Sequence, residues 1–216
     1  MTARDFTPGG EGEAEFFEVP TRFQGGERHR GHNERFAGRA VPEGSRDGVQ
    51  ALVERLGLAP HPEGGWYREE HRSAIRVTRD DGVQRSALTL IWFLLPGPEI
   101  SRWHRLLQAD ETWHHAGGDP LELWLLPPEG GVAERRLLAP LEAPLPPDSA
   151  AAPEAGRHQP QPVQVVPAGW WQAARCLGAW SLVCCCVGPG FDFQEFQLLH
   201  QWPATDHPPG ALSDLL

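Results

Sequence analysis

Ala87-Leu-Thr-Leu-Ile-Trp-Phe-Leu-Leu95 is an apolar run closed by Pro96-Gly-Pro98. Its length, its aromatic and β-branched content and its Pro/Gly boundary describe a buried strand rather than a helix. Segments of the same kind lie on either side of it. Trp66-Tyr-Arg-Glu-Glu-His-Arg-Ser73 precedes it, and Glu111-Thr-Trp-His-His-Ala116, Leu121-Glu-Leu-Trp-Leu-Leu126 and Glu134-Arg-Arg-Leu-Leu138 follow. Further on come Val163-Gln-Val-Val166, Ala179 to Val187 and Phe191-Asp-Phe-Gln-Glu-Phe-Gln-Leu-Leu199. Short strands at regular spacing, punctuated by Gly, Pro and Asp, predict an all-β sandwich or barrel.

The flanking regions differ in composition. Val49, Leu52, Val53, Leu56 and Leu58 recur at helical spacing, and Gly57 stands where a C-terminal cap falls, so a short amphipathic helix leads into the strands. Residues 1–47 contain Gly9-Gly10, Gly25-Gly26 and scattered charges without apolar period, which predicts a disordered extension not needed for folding. Pro140 to Pro162, rich in Pro, Ala and Glu, is expected to be a long exposed loop. The barrel should then span residues 48–200, with residues 201–216 as a peripheral tail.

Acidic residues outnumber basic ones 29 to 19, giving a formal net charge of −10, so the surface repels polyphosphate and nucleic acid is not an expected partner. No apolar stretch reaches the roughly 18 residues of a membrane span, and no membrane association is expected. The N-terminus has no apolar h-region and carries Asp5, Glu11, Glu13 and Glu15, unlike a secretory or transit signal, so a cytoplasmic protein is expected. The four cysteines are Cys176 and the run Cys184-Cys185-Cys186. Strand neighbours point to opposite faces and do not readily bridge, and no CxxC spacing is present, so buried inert thiols are expected.

Three stretches together resemble one family. They are Pro60-His-Pro-Glu-Gly-Gly-Trp-Tyr-Arg-Glu69; Ser101-Arg-Trp-His-Arg-Leu106 with Asp110-Glu-Thr-Trp-His114; and Val166-Pro-Ala-Gly-Trp-Trp-Gln-Ala173 with Ser181-Leu-Val183 and Gly188-Pro-Gly-Phe-Asp-Phe193. In this order they are similar to the cupin-5 (DUF985-type) family of cupin-type proteins, whose members are mostly uncharacterised. The resemblance implies a double-stranded β-helix jelly roll, a pocket in the barrel for a small-molecule ligand, and a homodimer. Trp66 stands where the family usually has Tyr, His115-Ala116 replace an aromatic pair, and Cys184 and Cys186 replace what are commonly Gly and Thr.

The general cupin metal pattern is HxH, a Glu, six residues and a Gly, followed by PxGxxH. Here His104, Glu111 and Gly118 keep that spacing, but Leu106 stands at the second His position and Gln172, after Pro167 and Gly169, at the third. One imidazole, one carboxylate and a neutral amide make a poor transition-metal site, so no metal ligands and no cofactor are expected. His104 and Glu111 remain as candidates for acid–base catalysis, because an imidazole beside a carboxylate in an apolar barrel can titrate near neutrality; equally, the two could only satisfy one another or bind a ligand.

Arg68, Trp113 and Gln172 are the candidate substrate-binding residues. Arg68 could hold a carboxylate or phosphate if its face of the strand looks inward, and is a solvated charge if it looks outward. His114 alternates away from Glu111 and Trp113 and is expected at the surface. His61-Pro62-Glu63 before Gly64-Gly65 either shape the pocket mouth or form a rigid connector. The functions that follow are a metal-independent epimerase or isomerase of a sugar-like or other polar metabolite, a non-catalytic binding or sensing protein using the same pocket, or a storage or structural cupin.

Overall fold

A computed structural model describes residues 43–141, 143 and 159–216. Residues 1–42 of the expected extension, and residues 142 and 144–158 of the expected Pro-rich loop, lie outside the described residues. Helix α1 spans Glu43–Leu56, several residues longer at its start than the apolar spacing indicated. It ends as the sequence suggested. Gly57 has φ 62° and its N–H bonds Glu54 O, while Leu58 N–H reaches back to Val53 O, the paired bonds of a glycine-capped helix end.

The strands are β1 (Ala59–Pro60), β2 (Trp66–Arg72), β3 (Arg76–Thr78), β4 (Gln84–Ser86), β5 (Thr89–Pro96), β6 (Ile100–Leu106) and β7 (Asp110–Gly118). They continue with β8 (Leu121–Leu126), β9 (Glu134–Leu138), β10 (Val163–Val166), β11 (Trp171–Cys176), β12 (Trp180–Gly188) and β13 (Phe196–Leu198). One sheet runs β1-β2-β5-β12-β7-β10 and a second β13-β6-β11-β8-β9, with β3 and β4 as a separate hairpin. The paired strands are antiparallel, and the two sheets face each other as a cupin-like jelly roll.

Alternation along the strands sends Leu121, Leu123 and Leu125 of β8, Phe93 and Leu95 of β5 and Val183 and Cys185 of β12 into the shared core. Helix α1 and the residue after its cap cover part of the outer face of the first sheet, Val53 and Leu58 packing with Leu94 and Trp66. Among the described residues no helix is long and apolar enough to cross a membrane.

Two expectations need correction. The tail beyond residue 200 is not peripheral: Leu215 is fully buried, with Trp202 and Leu212 packed against Trp103 and Trp171 on the outer face of the second sheet. The Trp103 indole N–H donates to Leu212 O at 3.0 Å, so the tail also satisfies a buried donor. The stretch Phe191 to Leu199 is a strand only over Phe196–Leu198. Before that, Asp192 accepts from the Gln194 N–H and caps a short 3₁₀ turn, Phe193–Glu195, a local bond that competes with strand pairing.

Candidate functional site

The segment His61-Pro-Glu-Gly-Gly65 folds back over one end of the barrel. Its glycines make this possible: Gly64 has φ 112°, and a Cβ there would lie 2.1 Å from Ile100 O, so only glycine allows the chain to lie against β6. The turn is fixed by His61 N–H to Gly65 O at 3.0 Å and by Arg102 N–H to Glu63 O at 2.9 Å. Glu63 is thereby delivered into the interior, 4% exposed.

A second irregularity brings His104 to it. On β6, Ser101 pairs with Ala174 while His104 pairs with Gln172, so three steps on one strand oppose two on the other. This bulge resets the alternation, and Ser101 and His104 both come to be buried facing Glu63. Ser101 Oγ donates to Glu63 Oε1 at 2.8 Å, His104 Nε2 lies 3.2 Å from Oε2, and His61 Nδ1 lies 3.3 Å from the same oxygen.

The protonation of this cluster follows from its partners. Burial works to raise the Glu63 carboxyl, but His104, His61 and the hydrogen bonds from His61 and Ser101 outweigh it and hold the group below its ordinary range. Burial pulls the His104 imidazole below its ordinary value, against the Glu63 charge and the Arg102 carbonyl, which push it up. His104 Nδ1–H donates to Arg102 O at 2.7 Å, so a neutral ring turns a lone pair, not a proton, toward Glu63. The 3.2 Å contact is attractive only when the pair carries a proton. Glu63, with two carboxylate oxygens, is the member of the cluster with lone pairs to spare.

Glu111 on β7 and Gln172 on β11 form the other half of the site. Gln172 Nε2–H donates to Glu111 Oε2 at 2.6 Å, and Gln172 Oε1 accepts from the Trp113 indole N–H at 2.9 Å. Trp113 in turn packs edge-on against Phe93 at 5.7 Å between ring centroids. Burial, reinforced by repulsion from Glu63, pushes the Glu111 carboxyl up to about 8 despite its bonds to Gln172 and Cys185. The barrel thus holds two carboxyl groups with opposite tendencies, Glu63 kept ionised and Glu111 kept protonated.

His104, Glu111, Trp113 and Gln172 all lie in the interior, but His104 pairs with Glu63 rather than with Glu111. Arg68 does not join them. Register on β2 opposes it to Trp92, and its guanidinium lies beside Gly57 at the helix end and pairs with Glu70 on the outer face of the sheet. It therefore cannot anchor a ligand inside the barrel. His114 faces away from the site, bonded to Thr112 Oγ1 at 3.0 Å. The four cysteines are free thiols. Cys185 lies inward beside Glu111, and burial pushes its thiol well above the ordinary value, while Cys184 is raised to about 11. Such thiols carry little thiolate.

Around His61 the aromatic side chains form a cage: Tyr67 at 4.5 Å, Phe196 at 5.8 Å, Phe93 at 5.9 Å and Phe193 at 6.5 Å between ring centroids. Phe193 is 52% exposed, so the cage meets the surface there. The turn carrying Phe193 is tied to the hairpin β3–β4, where Arg79 Nη1 donates to both Glu195 oxygens at 2.6 and 2.8 Å and Arg85 donates at 2.9 Å.

A jelly roll whose inward polar groups come from the turn before its second strand, from β6, β7 and β11 defines a cupin-type protein. The family described as Cupin superfamily (DUF985) matches residues 50–199, and the chain belongs to it. Among solved structures, a hypothetical protein from Leishmania major is 31% identical, with 68% of this chain and 85% of that one covered and a TM-score of 0.56. A protein from Shewanella oneidensis is 32% identical, with 69% and 82% covered and the same TM-score of 0.56. No protein with a curated description matches.

Many cupins hold a transition metal, and the donor set here does not fit one. The amide of Gln172 is spent on Trp113 and Glu111, and the His104 ring is spent on Arg102 O and Glu63. Among the described residues no three His, Cys, Asp or Glu side chains converge in a way that could hold a metal ion.

Proposed function

We propose that this cupin is a metal-independent acid–base enzyme of the epimerase or isomerase kind, acting on a small sugar-like carbonyl compound in the barrel. The observation that carries the reading is the pair of buried carboxyls in unlike surroundings: Glu63, ringed by Ser101, His61 and His104, which favour its ionised form, and Glu111, held by the Gln172 amide, whose burial pushes its carboxyl up to about 8. Environments that separate two such groups assign a base and an acid at the same pH.

Glu63 takes the proton from the carbon beside the substrate carbonyl. The C–H electron pair becomes the new C=C bond, and Glu111 delivers its proton to the carbonyl oxygen, giving an enediol. For isomerisation, Glu63 returns its proton to the former carbonyl carbon while the hydroxyl on the neighbouring carbon gives its proton to the Glu111 carboxylate and becomes the new carbonyl. For epimerisation, the proton returns to the original carbon on its opposite face while Glu111 takes its own proton back from the enediol oxygen. His104 is a positioning residue in this scheme: when its ring gives up the shared proton, Glu63 loses a donor and becomes the stronger base. Gln172 holds Glu111 in place, and Trp113 holds Gln172.

The test is incubation with aldoses and ketoses in D₂O, reading deuterium at the carbon beside the carbonyl by mass spectrometry. Exchange should occur with the native protein and be lost in Glu63→Gln and in Glu111→Gln. Ligand binding without exchange would establish a binding protein instead.

A further inference from the structure

Resting on that reading, we infer that the barrel takes an uncharged polyhydroxylated ligand and excludes sugar phosphates and sugar acids alike. The exclusion of anions follows from where the positive charges are. All 19 basic residues of the chain are arginine, so no lysine is available to meet an anion or to form an imine. Among the described residues no arginine is buried, whereas Glu63, His104, Glu111 and Gln172 all are.

The guanidiniums close in sequence to the site are committed elsewhere. Arg102 donates to the backbone carbonyl of Glu63 at 3.2 Å, and Arg105 lies over Trp171 and Trp202 at 4.4 and 4.9 Å on the outer face of the second sheet. Arg79 and Arg85 are spent on Glu195. A phosphate or carboxylate entering the barrel would lose its hydration and find Glu63 there in place of a cation, an arrangement that strongly disfavours binding.

What the interior does offer is aromatic faces, from Tyr67, Phe93 and Trp113, and the carboxyl of Glu111. Flat apolar faces with a few neutral hydrogen-bonding groups suit the C–H faces and hydroxyls of a free sugar.

The experiment compares glucose and fructose with glucose 6-phosphate and glucuronate, by calorimetry and by deuterium exchange in D₂O. The neutral hexoses should bind, and each charged compound should bind about tenfold more weakly or worse. Tighter binding of the phosphate or the acid, or binding of none of the four, would overturn the inference. Exchange with glucuronate or the phosphate but not with the hexoses would overturn it while leaving the acid–base function standing. Binding of the hexoses without exchange would uphold the charge selection and defeat the enzymatic reading.

Discussion

Glu63 Oε2 and His104 Nε2 meet at 3.2 Å in the barrel interior, one delivered by a double-glycine turn and the other by a bulge on β6. The contact sets the charge of the site. Replacing Glu63 by Gln keeps an acceptor for Ser101 but removes the negative charge beside the imidazole, so His104 should titrate at lower pH still, as read from its ring proton by NMR. Removing one partner of a buried pair should also cost about 3 kcal/mol or more of stability near neutral pH. The Glu63 carboxyl lies below its ordinary value of 4.5 in the folded protein, so its contribution is fully present above that pH and is lost as pH falls through the folded value. The variant should therefore lose less stability on acidification than the native protein; an equal loss would show that Glu63 is not the ionised partner.

Glu111 should give the opposite pH dependence. Its carboxyl is raised from 4.5 to about 8, so the folded state binds its proton more tightly than the unfolded chain does. That stabilisation is complete below about 4.5 and declines until the pH passes about 8, at no more than about 1.4 kcal/mol per pH unit. In Glu111→Gln the side chain is neutral throughout, the bond with Gln172 can be kept, and the decline between those pH values should flatten. Chemical denaturation at pH 5, 6.5 and 8 measures this directly; parallel pH profiles for the two proteins would place an ionised Glu111 in the native barrel.

Metal should have no part in the stability of the fold. With Leu106 and Gln172 at two of the usual imidazole positions, dialysis against a chelator should leave the melting temperature unchanged. Added zinc, iron or manganese should not raise it. A rise that saturates at one equivalent would contradict the reading of Gln172 as a tether for Glu111.

The strand pattern was legible wherever one short segment carried the signal by itself, as in the alternation of Leu121, Leu123 and Leu125, or the spacing of His104, Glu111 and Gly118. The hairpin β3–β4 escaped because its strands have three residues each, although Asp81-Gly82 at its turn was a usable signal. Glu63 looked like part of a connector. Its inward position depends on Gly64 lying against Ile100 and on an extra residue in β6, neither of which is a property of the segment itself. Arg68 was ambiguous for the opposite reason: alternation alone said which residues share its face, and only pairing with β5 shows that the face looks outward. The apolar residues of the tail, Leu212 and Leu215, follow a proline-rich stretch and show no strand or helix period, so their burial could not be read locally.

The latch between the hairpin and the Phe193 turn should govern access to the aromatic cage. Arg79 and Arg85 converge on Glu195, and Glu195→Gln removes the charge while keeping a side chain of similar size. Amide hydrogen exchange should then accelerate across Arg76–Ser86 and Phe193–Phe196, with the strands β7 and β12 unaffected. Raising the salt concentration should produce a smaller change in the same direction in the native protein, since these charges are only partly shielded from water. Unchanged exchange in the variant would mean that packing of Phe191, Phe193 and Phe196 alone holds the turn in place.

The tail supplies the last expectation. Deleting residues 201–216 removes Trp202, Leu212 and Leu215 from the outer face of the second sheet and takes away the carbonyl that accepts the Trp103 N–H. The truncated chain should fail to fold cooperatively, because it exposes Trp103 and Trp171, both fully buried in the native protein. A finer test is Leu215→Ala, which leaves the backbone and the Trp103 bond intact and should cost about 2–5 kcal/mol, as other buried leucines do. If Leu215→Ala melts like the native protein, the tail does not share the core. The packing of β6 and β11, which carry His104 and Gln172, would then have to be maintained without it.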